Sequence, residues 1–294
     1  MNNDTMNTPI TLLIALLLAP LAALHAADIP TRPDTRAPSA LLDLPYVDGG
    51  KTSQSLDLFL PATSSKPSPL LLWIHGGGWR EGDKRGHPLV AFADRGFAIA
   101  SINYRLTGEA RFPAQIDDVR AALKWLRANA VKYGYDSSRI GVIGHSAGGH
   151  LCALLGVSSA GDQAVQAVCV LSGPSDMQAM VEAAIDPKRR TAMESLFGTP
   201  LKDKSALIRS ANPIAQITGQ SPPFLILHGE QDEVVPVALA QSFHTALSTR
   251  ATHPARLIVF PNTSHDIFRN PQWVGEAVKF FEAILKPTIP ARAP

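Results

Sequence analysis

The sequence predicts an α/β fold in which an open, mainly parallel β-sheet carries helices on both faces. The first observation is six continuous apolar runs. Half-exposed strands alternate apolar and polar residues, whereas continuous runs are typical of parallel strands that are covered on both faces. The second is that helical patterns separate these runs. The third is size, because 294 residues, 45% of them hydrophobic, suffice for one large core. The runs read LLLWIH, FAIASINY, IGVIGH, AVCVLS, FLILH and RLIVF.

The chain starts with a short apolar stretch, ITLLIALLLAPLAALHA, that ends in small residues. This pattern predicts a signal peptide over residues 1–26, with cleavage near Ala26 or Ala27. The stretch is short for a membrane span of roughly 20 residues, although the residues before it lack Lys and Arg and include Asp4. We expect an exported protein, periplasmic or secreted, with no stable membrane insertion after cleavage. A retained anchor is the alternative.

A Pro-rich connector over residues 27–40 leads into one predicted catalytic domain, residues 41–287. Its first strand, SLDLFL, alternates apolar and polar residues, which indicates an antiparallel strand near an edge of the sheet. Residues 113–131 place apolar side chains three and four apart and predict an amphipathic helix. Similar helical segments follow Pro236 and Pro271. Residues 174–219 are longer than a simple crossover and contain two helical patches, MQAMVEAAI and TAMESLFG, so this insertion is a candidate small cap.

The stretch GVIGHSAGGHL places Ser146 between an apolar strand and a helix. Gly144 and Gly148 allow the backbone to approach closely at the turn, which is the pattern of a nucleophile elbow. Such a bend lifts the hydroxyl clear of the sheet, and the helix N-terminus favours developing negative charge. The alternative is a serine that caps a helix in an ordinary glycine-rich turn.

A serine nucleophile needs a base that is held by an acid, and in this kind of fold the order is serine, acid, histidine. Asp232 follows the FLILH strand and His265 follows the RLIVF strand, so both lie at C-terminal strand ends. Asp176, after the preceding strand, is the alternative acid.

Other histidines compete with His265 for the role of the base. His145 is expected to point away from Ser146, and His150 lies within the following helix. His228 ends a strand, where a hydrogen-bonded core position is expected.

The stretch LLLWIHGGGW supplies candidate oxyanion donors, because glycines without side chains follow an apolar strand. We expect the backbone N–H groups of Gly77, Gly78 and Ala147 to form an oxyanion hole. The alternatives are a flexible turn or a phosphate loop, but the Gly-Lys-Ser/Thr of a Walker loop is absent from the sequence. Trp79 follows the glycines and is predicted to bind substrate as a wall on the acyl side.

The charge pattern argues against large polyanionic partners. The formal net charge is +2 and no run of like charges is present, so nucleic acid is not expected as a partner. Cys152 and Cys169 are too few for a disulfide scaffold and are expected to be buried free thiols. The predicted chemistry needs no metal and no cofactor. The sequence does not indicate an oligomeric state.

Together, HGGGW, GHSAGG, HGEQDEVVP and SHDIF resemble the α/β-hydrolase carboxylesterases, close to the hormone-sensitive-lipase-like branch. The chain is most similar to the bacterial feruloyl and acetylxylan esterases, and INYRL, FPAQIDDVRAALKWLRANA and ANPI extend the likeness over about residues 41–285. One departure is the stretch before His265, where relatives often have a glycine and this chain has Pro-Asn-Thr-Ser. Arg105 in INYRL is expected to be structural, paired with Asp117 or Asp118.

The resemblance implies a serine carboxylesterase with Ser146 as nucleophile, His265 as general base and then acid, and Asp232 as its orienting partner. Its expected substrates are short-chain acyl esters, including acetyl or feruloyl esters of carbohydrates. An aryl formamidase or a peptidase on the same fold is the alternative enzyme. A catalytically silent binding protein is the alternative outside enzymes.

Overall fold

The computed structural model describes residues 39–62, 67–183 and 187–286. The predicted signal peptide and nearly all of the predicted connector lie outside these residues. Within the described part of the chain, no helix combines the length and the apolar character needed to cross a membrane.

Eight strands form one sheet in the order β1-β2-β4-β3-β5-β6-β7-β8. The pairs β1·β2 and β2·β4 are antiparallel, and every other neighbouring pair is parallel. The structure therefore confirms the predicted α/β architecture. The strands are β1 Ser39–Pro45, β2 Ser55–Leu60, β3 Ser68–Ile74, β4 Ala98–Ile102, β5 Tyr135–His145, β6 Ala167–Leu171, β7 Phe224–Gly229 and β8 Ala255–Phe260.

The antiparallel end of the sheet contains one strand that the sequence does not predict. β1 begins at Ser39, within the last two residues of the predicted connector, and it forms the edge next to β2. All of its residues are exposed or half-buried, so it lacks the buried apolar run that marks the central strands. The antiparallel pairing of SLDLFL is as predicted, with β1 outside it.

Helices cover both faces of the sheet. On one face, residues of α2, α3 and α7 share a core cluster with Leu70, Leu72 and Ile74 of β3. On the other, residues of α1 and α8 share a second cluster with Leu71 and Trp73 of the same strand. The helices are α1 Val90–Ala93, α2 Ala114–Tyr133, α3 Ala147–Ser158, α4 Met177–Glu182, α5 Pro187–Phe197, α6 Ser205–Ser210, α7 Val237–Arg250 and α8 Gln272–Leu285.

An ion pair between half-buried Arg105 and buried Asp118 fixes the loop after β4 to α2. Arg105 donates from Nε and Nη2 to the two carboxylate oxygens of Asp118, each over 2.8 Å. Gln54 Nε2 donates to the same carboxylate at 2.8 Å. Two parallel charge-assisted hydrogen bonds of this kind are among the strong ones in proteins. The pairing expected for Arg105 is confirmed, with Asp118 as the partner.

The loop that follows the glycines of HGGGW is anchored by a buried lysine. Lys84 Nζ lies 2.6 Å from Asp43 Oδ1 and 2.8 Å from Asp57 Oδ1, so it joins this loop to β1 and β2. Its backbone N–H donates to Asn103 Oδ1 at 2.6 Å, and Ser101 Oγ donates to its carbonyl at 2.5 Å. The loop that carries the glycines is therefore held on the sheet at several points.

Residues 174–219 form α4, α5 and α6 and two short 3-10 turns. The two predicted helical patches correspond to α4 and α5, whereas α6 was not predicted. Met177, Met193 and Phe197 pack into the core on the α2 side of the sheet. The segment therefore contributes side chains to the main core.

Candidate active site

Ser146 lies on the sharp turn between β5 and α3. Its backbone adopts φ 54° and ψ −119°, a conformation that costs a non-glycine residue of order 1–3 kcal/mol. The turn is held by its N–H, which donates to the Leu171 carbonyl at 2.9 Å. A Cβ at Gly148 would lie 2.0 Å from the Ile74 carbonyl oxygen, and one at Gly144 would lie 2.3 Å from that of Gly148. Both neighbouring glycines are thus required by close backbone contact.

Three side chains from three strand ends meet at this turn. His265 Nε2 lies 2.9 Å from Ser146 Oγ, and His265 Nδ1 lies 2.8 Å from Asp232 Oδ2. Ser146 follows β5, Asp232 follows β7 and His265 follows β8, so each lies beyond the carboxyl end of a parallel strand. Ligand sites of open α/β sheets form at this edge. The structure therefore brings together the three residues singled out from the sequence.

The Asp232 carboxylate is buried and fully engaged. Oδ1 accepts hydrogen bonds from the N–H groups of Val234 and Val235 at 2.9 and 2.8 Å. Oδ2 faces His265 Nδ1 and also lies 3.2 Å from His228 Nε2. Burial alone would raise the pKa of Asp232, but the hydrogen bonds from His228, His265 and the Val235 N–H outweigh it and hold the pKa well below its usual range. Asp232 is therefore a carboxylate at neutral pH.

The glycine loop lies beside the serine. Gly77 and Gly78 have φ of 105° and 58°, and a Cβ at Gly77 would lie 2.1 Å from the Glu81 carbonyl oxygen. Gly77, Gly78 and Ala147 line one cavity of about 600 Å³ together with Ser146 and His265. The three residues predicted to supply oxyanion donors thus share a cavity wall with the candidate nucleophile.

The BD-FAE family model matches residues 56–247 of this chain, which include Ser146 and Asp232. The chain belongs to the BD-FAE family.

Esterase LipQ of Mycobacterium tuberculosis is 31% identical over 275 residues, covering 86% of this chain and 64% of LipQ. Esterase LipC of the same organism is 33% identical over 216 residues, covering 68% of this chain and 53% of LipC. The chain thus spans between about half and two thirds of the length of these curated relatives. A solved structure described as a truncated form of a carbohydrate esterase from gut microbiota matches with a TM-score of 0.73 at 28% identity, covering 83% of this chain and 95% of that one.

Trp79 closes one side of the cavity in this BD-FAE chain. Its side chain is buried, it lines the cavity, and its indole packs edge-on against the His150 ring at 5.4 Å between centroids. The ring therefore lies at the cavity, where it is predicted to bind substrate, and also packs on a core histidine. Residues of α4 and α5 complete the apolar wall: Met180, Ala192 and Met193.

Asp176, the alternative acid, lies elsewhere. Its Oδ1 accepts from the N–H groups of Gln178 and Ala179 at 3.1 and 3.2 Å, and from Asn212 Nδ2 at 3.0 Å. These are the contacts of an N-cap that begins α4. The geometry therefore assigns the partner of His265 to Asp232.

Two further histidines lie against these groups, and the sequence does not single out either. His145 is among the residues that line the cavity, and its side chain contacts His265 and Phe268. Its Nε2 lies 3.1 Å from the His265 carbonyl oxygen, and its ring is 5.1 Å from the His265 ring. Burial lowers the pKa of His145 to about 4, so it is neutral at pH 7. The contact of His145 with His265 can be recognised only in the folded structure, because no sequence pattern indicates it.

His228 is fully buried, as predicted, with Nε2 2.8 Å from the Val235 carbonyl oxygen. It also approaches Asp232, which the sequence does not indicate. Cys152 and Cys169 are free and buried, and burial raises the pKa of both thiols. Across residues 39–62, 67–183 and 187–286, no group of three or more His, Cys, Asp or Glu side chains could hold a metal ion.

Proposed function

We propose that this chain is a serine carboxylesterase that hydrolyses short-chain acyl esters through an acyl-enzyme. The observation that carries the proposal is the continuous relay from Ser146 Oγ through His265 to Asp232, with spacings of 2.9 and 2.8 Å, at the wall of a cavity lined by the glycine loop. The names of the esterases LipQ and LipC support ester hydrolysis.

The reaction proceeds in two acyl transfers. Asp232 accepts the Nδ1–H of His265, which leaves Nε2 free to take the Ser146 proton as Oγ attacks the ester carbonyl. His265 then gives that proton to the leaving alcohol, and a water molecule repeats the sequence to release the acid. The N–H groups of Gly77, Gly78 and Ala147 stabilise the oxyanion, where losing one donor typically raises the barrier by about 3 to 4 kcal/mol.

The substrates we propose are small esters, including acetyl or feruloyl esters of carbohydrates. The similar solved structure described as a carbohydrate esterase supports this class. Trp79 lines the cavity beside the glycine loop, and we infer that its ring limits the length of the acyl group. Aryl formamides and peptides are the alternative substrates, since the same relay can cleave an amide.

Two further assignments are part of the proposal. Residues 174–219 act as a small cap, because Met180, Ala192 and Met193 line the cavity and Arg189 donates to the Glu233 and Val234 carbonyls across its mouth. The chain is exported to the periplasm or secreted after cleavage near Ala26 or Ala27, which the apolar N-terminal stretch supports.

The test is a panel of p-nitrophenyl acetate, an acetylated sugar, a feruloyl ester, an aryl formamide and a peptide anilide, assayed with the mature protein. We expect the largest kcat/KM on an ester. Faster turnover of the formamide or the anilide would reject the carboxylesterase. Failure to turn over any of them, with no labelling by a serine-directed phosphonate, would favour a binding protein.

A further inference from the structure

We propose that His228 is a positioning residue of the reaction, which holds the Asp232 carboxylate in the orientation that serves His265. The inference rests on the proposed function, since it assumes that Asp232 and His265 serve Ser146. It starts from the contact of 3.2 Å between His228 Nε2 and Asp232 Oδ2, where both side chains are fully buried.

The partners of His228 determine which of its ring nitrogens carries the proton. Nε2 faces two oxygens that accept, the Val235 carbonyl at 2.8 Å and Asp232 Oδ2 at 3.2 Å. An unprotonated Nε2 would direct its lone pair at both of these oxygens, which is repulsive. Nε2 therefore carries the proton. Nδ1 is buried without a hydrogen-bond partner in the described part of the chain, and a second proton there would lack an acceptor. The single Nε2–H of His228 is therefore directed at the Val235 carbonyl at 2.8 Å and shared with Asp232 Oδ2 at 3.2 Å.

This donor completes a four-point hold on the carboxylate. The N–H groups of Val234 and Val235 bind Oδ1, while His228 and His265 approach Oδ2. The donors on Oδ1 alone leave the carboxylate free to tilt about that oxygen. His228 approaches the other oxygen from β7, a strand that is buried along its whole length. It therefore fixes the oxygen that selects the Nδ1–H tautomer of His265.

The contact has a consequence for the pH profile. The titratable groups that face Asp232 are His228 from β7 and His265 from the loop after β8, and His265 in turn faces Ser146 and His145. When the His228 donor is removed, the negative charge of Asp232 Oδ2 is no longer shared with that donor. Its attraction for the His265 Nδ1–H becomes stronger. The protonated form of His265 is thereby favoured, so kcat/KM on the acid side should reach half its maximum at a higher pH.

The discriminating variants are His228→Gln, His228→Leu and His228→Asn. The Gln amide nitrogen reaches about as far as Nε2 of the histidine and keeps a donor toward Asp232. Leu removes the donor, and the Asn amide stops short of it. The matched control is His244, whose Nε2 also lies near a backbone carbonyl, that of Ala255 at 3.2 Å, far from the site in the fold. The same exchanges at His244 should leave kcat unchanged.

The experiment measures kcat, KM and the pH profile of p-nitrophenyl acetate hydrolysis for variants whose folding is verified by circular dichroism. We expect roughly a tenfold fall in kcat for Leu and Asn with KM within twofold, the scale for losing a hydrogen bond to a charged group. Their acid limb should move to higher pH, and Gln should restore most of the activity. If the His228→Leu variant does not fold, the His228→Asn variant provides the test.

Unchanged kcat in the Leu and Asn variants, or a loss in Gln as large as in Leu, would overturn the role of His228 while leaving the esterase proposal intact. Absence of ester hydrolysis by the wild-type protein would overturn both.

Discussion

Replacing Asp232 by Asn should disable the site through a change of tautomer, with little change of shape. Oδ1 of Asp232 accepts two backbone N–H groups, so the Asn carbonyl oxygen must take that position. The Asn NH₂ then faces His265 Nδ1, at the place where Oδ2 lies 2.8 Å away. A donor there can bind only a bare Nδ1, so the imidazole proton moves to Nε2 and points at Ser146 Oγ. In that state His265 cannot accept the serine proton.

The expected loss is large because the wrong tautomer dominates. An amide in place of the triad carboxylate lowers kcat by about four orders of magnitude in serine hydrolases of this design, about 5 kcal/mol of barrier. The cavity wall formed by Trp79 and the glycine loop is untouched, so KM should change far less than kcat.

The assay is steady-state hydrolysis of p-nitrophenyl acetate by Asp232→Asn, with Asp176→Asn as the matched control. Asp176 also accepts two backbone N–H groups, but as the N-cap of α4. An Asn cap is about as good as an Asp cap, so the control should retain nearly full activity. Asp232→Asn within tenfold of wild type, or a larger loss in the control, would refute the reasoning.

Three other changes test the cavity, the buried histidines and the elbow. In a series of p-nitrophenyl esters from acetyl to palmitoyl, kcat/KM should be highest from acetyl to butyryl and should not rise when micelles form. Trp79→Ala should shift the optimum to longer acyl chains. An optimum at ten carbons or more in the wild-type protein would contradict this. Burial lowers the pKa of His145 and His150 to about 4, below the usual 6.5, so the unfolded chain takes up their protons first as the pH falls. The free energy of unfolding in urea should therefore fall between pH 7 and 4.5, by up to about 3 kcal/mol per histidine, and equal values would argue against neutral buried rings. Gly148→Ala should destabilise the fold by at least about 3 kcal/mol, because the new Cβ would lie 2.0 Å from a carbonyl oxygen at the end of β3. The control Gly275→Ala should be tolerated, because no atom lies within 4 Å of its Cβ position. Equal melting temperatures of the two variants would contradict the elbow geometry.

The central sheet and the relay could be predicted from the sequence because short stretches of neighbouring residues indicate both. Each parallel strand is a continuous apolar run, so its position follows from composition alone. Ser146 follows such a run directly, and Asp232 and His265 lie on the loops that follow two others. Since the ends of parallel strands lie at one edge of the sheet, order along the chain was enough to bring these three side chains together.

The rest depends on contacts between distant parts of the chain. β1 is an edge strand whose residues are all exposed or half-buried, so its sequence resembles a connector. His145 touches His265 only because β5 and the loop after β8 converge. The His228–Asp232 contact is local, four residues apart, but it depends on how the turn after β7 directs the carboxylate back toward the strand. The choice of Asp232 over Asp176 likewise follows from which loop faces His265, since both aspartates follow a strand.

Covalent labelling tests the central claim, that Ser146 is the nucleophile, most directly. The protein is incubated with a p-nitrophenyl alkylphosphonate, and the adduct is measured by intact mass and located by peptide mapping. We expect one phosphonyl group per chain, located on Ser146, with matching loss of ester hydrolysis, and neither labelling nor hydrolysis in Ser146→Ala, where a lost triad member costs on the order of a millionfold. An adduct on another residue, or substantial ester hydrolysis by a clean preparation of Ser146→Ala, would contradict the account.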